Sequence, residues 1–261
     1  VPEAQEAGVI SESAIKARPA ARDLITVALE PTQVAVPAGE SVVVTVRIFN
    51  RQRRVDHFMM VVRRISGEWA TVPDSALRLA PGDEGTISVQ LHPPHDPSSR
   101  AGEHPYVVRV ISSADANLSV EATGMLAIEP FYRITLEMSP GTYVNSGKGK
   151  LKVANLGNVT EVVDLTGSDP AEALNVASAP PQISLEPGQQ EELPLSIDPK
   201  EKRPIAGTTQ MYPFVLTATT ARGQAVTSQG SLRVNPLLPA WALPVLLMVG
   251  MALVAGAVLG Y

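Results

Sequence analysis

The residues of this chain that most resemble metal ligands lie in one short stretch. His92, His95 and Asp96 fall within five positions, and His104 follows shortly after them. Imidazole and carboxylate groups are common zinc ligands, so the spacing raises the question of a metal site. Two prolines separate His92 from His95, and they stiffen the backbone against convergence of the two rings. We therefore expect histidines of a surface loop and no metal.

A second group of residues concentrates positive charge around a predicted hairpin. It consists of Arg51, Arg53, Arg54, Arg63 and Arg64, with Asp56 between them. Guanidinium groups bind carboxylates and phosphates in a planar, two-pronged geometry. A solvated hairpin tip is the simpler interpretation of these arginines. The other is a partner surface, for a protein or for an anionic lipid headgroup.

No pattern in the sequence indicates catalysis. The serines do not lie in a nucleophile elbow, no glycine-rich phosphate loop follows a predicted strand, and the carboxylates lack paired spacing. Cysteine is absent, which excludes disulfides and thiolate chemistry. The formal net charge is -5 and no basic stripe is present, so nucleic acid is not expected as a partner. We predict a protein that is not an enzyme and holds no cofactor.

The elements that carry these residues occur twice along the chain. Three stretches match later ones in the same order: 46–62 with 151–167, 77–94 with 183–200, and 102–113 with 210–220. The offsets are 105, 106 and 108 residues, and Asn50 and Asn155 lie at the same turn of each copy. In the second copy, Asp198, Lys200 and Met211 take the places of the three histidines. A period of this length suits a sandwich domain of about seven or eight strands and is too long for a solenoid unit.

Short β-branched segments separated by turn residues indicate strands in both copies, for example Ser41–Ile48 and Phe214–Thr219. The sequence predicts an all-β fold of two tandem immunoglobulin-like β-sandwich domains, followed by one C-terminal transmembrane α-helix. The predicted divisions are residues 1–21 as a linker or flank, 22–130 as the first sandwich, 131–236 as the second and 237–261 as the helix.

Residues 237–261 contain no charged side chain. At about 1.5 Å per residue, a helix of this length would span the roughly 30 Å hydrocarbon core of a bilayer. We therefore expect a single-pass protein of the cell membrane with the bilayer as a partner, and arginines before the run favour the cytoplasmic side for the domains. Ala252, Gly256 and Gly260 repeat every four residues, which would let a second helix approach closely and form an oligomer.

The turn and core positions of the first copy resemble those of a known family. They are Pro37–Glu40, Asn50, Trp69–Val72, Leu79–Gly82, Pro93-Pro94 and Ala101–Tyr106. The pattern is similar to bacterial immunoglobulin-like single-pass membrane proteins related to the NEW3 domains that accompany alpha-galactosidases. The resemblance covers both copies and continues into Leu237–Trp241, which is similar to the start of the family's membrane span. Some members are encoded beside contractile injection systems, which implies a docking role at a membrane.

Three functional interpretations follow from this layout. The first is a membrane-anchored structural or docking protein that presents two immunoglobulin-like domains to a protein partner or a larger complex. The second is a carbohydrate- or surface-binding adhesion module, which would need two or more coplanar exposed aromatic rings. The third is an accessory subunit of a multi-subunit membrane complex.

Overall fold

The computed structural model describes residues 20–259 of the chain, with side chains described up to residue 255. Residues 1–19 of the predicted flank, and Gly260 of the predicted helix stripe, lie outside the described residues. The chain folds into two compact units. Of the described residues, the first contains 20–34, 41–92 and 104–126, and the second contains 35–40, 93–103 and 127–259. The contiguous boundary at residue 130 stays a prediction of the sequence.

The first β-sandwich follows a four-residue helix, α1 (Ala21–Leu24). Its strands are β1 (Ile25–Glu30), β2 (Gln33–Pro37), β3 (Val42–Asn50), β4 (Asp56–Arg63), β5 (Ala70–Thr71), β6 (Leu77–Leu79), β7 (Glu84–Leu91), β8 (Gly102–Ser112) and β9 (Ser119–Glu129). They form two sheets, in the orders β1-β3-β7-β5 and β2-β9-β8-β4-β6. In β3, Val44, Val46 and Ile48 are buried at every second position, because successive side chains of a strand point to opposite faces.

The second β-sandwich repeats this arrangement. Its strands are β10 (Ile134–Ser139), β11 (Thr142–Val144), β12 (Gly147–Asn155), β13 (Glu161–Ser168), β14 (Leu174–Ser178), β15 (Gln182–Leu185), β16 (Gln190–Pro199), β17 (Ala206–Gly207), β18 (Gln210–Thr220), β19 (Ala225–Val234) and β20 (Leu238–Pro239). The two main sheets have the orders β10-β12-β16-β14 and β11-β19-β18-β13-β15. One buried cluster takes side chains from both sheets, among them Leu151 and Phe214. A four-stranded sheet packed on a five-stranded sheet in this order is an immunoglobulin-like sandwich.

A buried asparagine ends the third strand of the first sandwich. The Asn50 side-chain amide donates to the carbonyl oxygens of Arg54 (3.0 Å), Leu79 (3.0 Å) and Ala80 (3.2 Å). Its Oδ1 accepts a hydrogen bond from the backbone N–H of Gln52 at 3.0 Å. The side chain therefore joins the turn after β3 to the turn before β7, and no exposed surface of Asn50 remains.

Asn155 does the same in the second sandwich. Its amide donates to the carbonyl oxygens of Val159 (2.8 Å) and Leu185 (3.0 Å), and its Oδ1 accepts from the N–H of Gly157 at 2.9 Å. Asn155 is also fully buried. Two copies of the same network, one in each sandwich, show that the asparagines close equivalent turns.

A third buried asparagine, Asn158, explains why the second unit includes residues 93–103. Its amide donates to the carbonyl oxygens of Ser99 (2.8 Å) and Glu129 (3.0 Å), and its Oδ1 accepts from the N–H of Phe131 at 2.8 Å. Its own carbonyl oxygen accepts from the N–H of Ala101 at 3.1 Å. These four bonds join three separate segments within that unit.

The prediction of a transmembrane helix is wrong. In the described part of the chain, no helix is both long and apolar enough to cross a membrane. Residues 237–241, the start of the predicted span, are not helical, because Leu238–Pro239 form β20 and pair with β17. The C-terminal helix α2 begins only at Ala242 and extends to Leu259. Its 18 residues rise about 27 Å, against a hydrocarbon core of roughly 30 Å.

Three further predictions rested on that helix. The bilayer as a partner, the single-pass localisation and the cytoplasmic side of the domains are corrected with it. Of the predicted helix-packing residues, Ala252 is exposed on α2, whereas the surroundings of Gly256 and Gly260 lie outside the description. Helix pairing through these positions stays a prediction.

One aromatic ring of each sandwich packs against a glycine on the neighbouring strand. A Cβ placed on Gly124 would lie 2.3 Å from the Tyr106 ring, and one on Gly230 would lie 2.5 Å from the Phe214 ring. The two rings are equivalent in the repeat and are almost completely buried. They differ in one atom, because the buried Tyr106 hydroxyl has no hydrogen-bond partner among the described residues. Burial of this hydroxyl raises the pKa of Tyr106.

Replacing Asn155 by alanine should lower the free energy of unfolding by roughly 3 kcal/mol, because it leaves buried backbone groups at both turns without a partner. Urea unfolding followed by circular dichroism measures the change. Asn175→Ala, at an exposed position of β14, is the matched control and should change stability by less than about 0.5 kcal/mol. Equal effects of the two substitutions would contradict the role given to Asn155.

Tyr106→Phe should leave stability unchanged or raise it by about 1 kcal/mol, because it removes a buried hydroxyl that makes no hydrogen bond. The reverse change in the other sandwich, Phe214→Tyr, should cost about 1–3 kcal/mol by burying such a hydroxyl. Thermal unfolding of both variants tests the pair. A clear loss of stability in Tyr106→Phe would mean that the hydroxyl has a partner.

Candidate functional site

Two of the predicted loop histidines pack around one tryptophan in the first unit. The His92 Nε2 lies 2.9 Å from the Thr71 Oγ1, and the backbone N–H of His92 donates to the Trp69 carbonyl oxygen at 2.7 Å. The His104 ring meets the Trp69 ring edge-on, with 5.9 Å between centroids. These contacts give the histidines structural roles beside a buried indole.

His95 is held in the second unit. Its Nδ1 lies 2.8 Å from the Ala38 carbonyl oxygen, and its ring stacks on Phe131 with 4.2 Å between centroids. A Cβ on Gly39 would lie only 2.8 Å from His95, so the glycine makes room for the ring. Across the part of the chain that the structure describes, no group of three or more His, Asp or Glu residues is placed to hold a metal ion.

The loop between β3 and β4 carries three of the predicted arginines beside a buried carboxylate. Asp56 is 1% exposed and accepts hydrogen bonds from four groups. They are the Gln52 side-chain amide (2.6 Å), the Ser112 hydroxyl (2.5 Å) and the backbone N–H groups of His57 (2.7 Å) and Ala114 (3.2 Å). Burial alone would raise the pKa of Asp56, but these hydrogen bonds hold it below its ordinary 3.8.

The same network reaches one of the loop arginines. The Arg54 Nε donates to the Gln52 Oε1 at 3.3 Å, and Gln52 in turn donates to Asp56. Arg51 lies over the Phe49 ring, with its guanidinium carbon 5.5 Å from the centroid. Because neutral groups already satisfy Asp56, its charge does not bind the guanidinium groups of the loop.

The structure separates the five predicted arginines into two groups. Arg51, Arg53 and Arg54 precede β4, whereas Arg63 ends it and Arg64 follows it. The strand rises about 3.3 Å per residue, so its two ends lie roughly 23 Å apart. All five side chains are exposed. They mark the two ends of one strand and do not form a single cluster.

Between these ends, β4 exposes apolar side chains on the outer face of its sheet. Phe58 points into the core, while Met59 is 54% exposed and Val61 is 43% exposed. Met59 pairs with Ile111 of β8, which is half-buried. We call Met59, Val61 and Ile111 the apolar strip. Isolated exposed apolar residues are common, whereas these three adjoin on two paired strands and form one continuous patch.

The second sandwich has polar residues at the equivalent places. Asp164 pairs with Thr219, Thr166 with Thr217 and Ser168 with Val215. These pairs correspond in register to Met59 with Ile111, Val61 with Arg109 and Arg63 with Val107. The fold therefore accepts polar side chains on this face, and packing of the sandwich does not require the apolar strip.

Both strands that pair with β4 carry an arginine beside it. Arg78 of β6 pairs with His57, which is on the same outer face as Met59. Arg109 pairs with Val61 but turns toward β9, where its guanidinium donates to the Ser119 hydroxyl at 2.9 and 3.1 Å. Arg109 thus leaves Val61 exposed.

The sequence prediction named the arginines and missed the apolar strip. The run Phe58–Val62 is apolar at every position, whereas its later counterpart, Val163–Gly167, alternates with Asp164 and Thr166. A strand with one face in water normally alternates, so the uninterrupted run was the signal. Comparing the two copies position by position would have found it.

Aromatic side chains are mostly inside the molecule. Phe58, Trp69, Tyr106, Tyr143 and Phe214 are buried, and Phe131, Tyr132 and Tyr212 are half-buried. Within residues 20–255, Trp241 is the ring whose side chain is largely exposed, at 68%. The coplanar exposed rings that a sugar platform needs are not found in this range.

A concavity of about 530 Å³ lies in the second unit and is lined in part by Lys200, Glu201, Lys202 and Tyr212. The two lysines and the glutamate are exposed, so solvent screens their charges. No buried polar group of its described lining is left without a hydrogen-bond partner. The concavity therefore lacks the convergent buried groups of a binding or catalytic site.

No family model and no curated protein matches the chain. Solved structures that match the chain include a protein of unknown function from Porphyromonas gingivalis W83, which is 12% identical. It covers 80% of this chain and 99% of its own, with a TM-score of 0.28. The E. coli chaperone DraB is 16% identical over 80% of this chain and 98% of its own, with a TM-score of 0.29.

A third similar structure is the Salmonella enterica SafA pilin in complex with the SafB chaperone. It is 15% identical, covers 80% of this chain and 96% of the matched chain, and has a TM-score of 0.29. At these sequence identities and TM-scores, the similar structures do not identify a function for this chain.

The stability of the protein should fall as the pH drops below about 4, because Asp56 has a lowered pKa in the folded state. A carboxylate of this kind contributes its stabilisation above its unfolded pKa, and loses it as the pH falls through the folded pKa. Asp56→Asn should be less stable at pH 7, and the difference between the two proteins should shrink between pH 4 and pH 2. Urea unfolding across this pH range measures the effect, and a constant difference would exclude Asp56 as its source.

Proposed function

We propose that this protein is a non-enzymatic protein-interaction module whose docking surface is the outer face of the β4–β8 pair. One observation carries the proposal. The apolar strip occupies positions at which the second sandwich, in the same register, has Asp164, Thr166 and Thr219. The occupant is a protein segment with apolar side chains to cover the strip and carboxylates to meet the neighbouring arginines.

Exposed apolar residues lower solubility unless a partner covers them. The sandwich does not use Met59 and Val61 for its own core, since Phe58 and its inward neighbours supply it. Methionine adapts to partner surfaces because its side chain is flexible and polarisable. Retaining two such residues on an outer face is therefore best explained by binding.

The alternative functions have less support. A carbohydrate platform would require several exposed rings, and the described residues offer Trp241. An accessory role in a membrane complex depended on the spanning helix, which the structure does not contain in its described residues. The resemblance to NEW3-related proteins stays a prediction, because it concerns turn and core positions and not a binding residue.

The test begins with a photo-reactive amino acid placed at position 59 of the full chain in its native host. The crosslinked protein is identified by mass spectrometry, purified and titrated against the wild-type chain and two variants. Val61→Asp should weaken its binding at least tenfold, because it places a charge in the centre of the contact.

Thr166→Asp is the matched control, since it introduces the same charge at the equivalent position of the second sandwich. It should change the affinity less than twofold. Both variants should keep the circular dichroism spectrum of the wild type. The proposal fails if Val61→Asp binds the purified partner as well as the wild type does.

A further inference from the structure

The arginines around the apolar strip are free to bind a partner. In the described part of the chain, Arg53, Arg63, Arg64 and Arg78 make neither an ion pair nor a side-chain hydrogen bond. Arg47 of the same sandwich, by contrast, pairs with Glu30 at 2.6 Å. Four free guanidinium groups therefore lie near β4 and its neighbour β6.

Their positions define a pattern along the strand. Arg78 lies beside His57 at the start of the outer face of β4, and Arg63 lies at its end. Met59 and Val61 stand between them. The distance from residue 57 to residue 63 is roughly 20 Å in an extended strand. Positive charge therefore borders the apolar strip at both ends.

Few carboxylates oppose this charge. Asp56 points inward and is satisfied by neutral donors. Glu103 is exposed near the start of β8, and Glu121 is exposed on β9, which lies beyond β8 in the sheet. The face is thus locally cationic on a chain whose formal net charge is -5. A partner with charges of the same sign as this face would be repelled, and one with carboxylates would be attracted.

We infer that the partner contacts this face with an acidic segment, in which apolar residues are flanked by carboxylates about 20 Å apart. This inference rests on the docking surface proposed above and adds the chemistry of the partner. The apolar centre covers Met59 and Val61, while the two acidic ends pair with Arg78 and Arg63. Arginine suits such recognition because its planar group binds both oxygens of a carboxylate.

The experiment is a selection from a random 12-residue peptide library on phage, carried out against the full chain. Enriched peptides are synthesised with a fluorophore and titrated at 50 mM and 500 mM NaCl. We expect peptides with apolar residues between Asp or Glu residues. Their affinity should fall at least fivefold at the higher salt concentration, because screening weakens exposed ion pairs.

The charge-reversal variants are Arg63→Glu and Arg78→Glu, each expected to weaken the selected peptides at least tenfold. Lys148→Glu is the matched control, because it makes the same change in net charge at an exposed site of the second sandwich. It should change the affinity less than twofold.

Two failures are distinguishable. If Val61→Asp abolishes peptide binding while the arginine variants and salt do not affect it, the docking surface stands and the acidic partner is wrong. If Val61→Asp also has no effect, or if nothing is enriched, both proposals fail. A single-stranded oligonucleotide that competes with the peptides and binds Val61→Asp equally well would also overturn the inference, since it would show a general anion surface.

Discussion

The buried asparagine at the end of β3 and its counterpart at the end of β12 are the constraint on which each sandwich depends. The side-chain amides of Asn50 and Asn155 donate hydrogen bonds to the carbonyl oxygens of Leu79 and Leu185, which lie 29 and 30 residues later in the sequence. Without them, those carbonyls would be buried and unpaired, at a cost of roughly 1–3 kcal/mol each. The bonds also fix where the next strand begins, and so set which of its residues face outward.

This shared scaffold separates the requirements of folding from those of binding. Inward positions keep their apolar character in both copies, as Phe58 and Val163 do in equivalent strands. The outer face differs, because Met59 is replaced by Asp164 in the same register. Two sandwiches of one chain thus serve as controls for each other. A residue type that changes between them is not dictated by the fold.

Much of the strand framework could be predicted from sequence, because it depends on local alternation and on the repeat. The predicted strand Phe214–Thr219 lies within β18, for example. The start of the C-terminal helix could not be predicted from local pattern, because it depends on a long-range contact. The Leu238 N–H donates to the Ile205 carbonyl oxygen at 2.7 Å, and hydropathy carries no information about such a bond. Of the candidate site, the sequence indicated Arg63 but neither Arg78 nor the apolar strip. Charge made the arginines conspicuous, whereas the apolar strip depends on knowing which face of β4 is outside.

The two sandwiches stabilise equivalent buried carboxylates in different ways. In the second sandwich, Glu161 is the counterpart of Asp56, and its carboxylate lies 3.7 Å from the Arg222 guanidinium, which also stacks on Tyr132 at 3.9 Å. That arginine is committed to its own domain. In the first sandwich, neutral donors satisfy Asp56 instead. Hydrogen bonds stabilise the charged form of a buried carboxylate, and so does a nearby counter-ion, so either arrangement is stable. Because the first sandwich satisfies its carboxylate with neutral donors, no arginine of the loop after β3 pairs with it, and Arg53 is left free for another molecule.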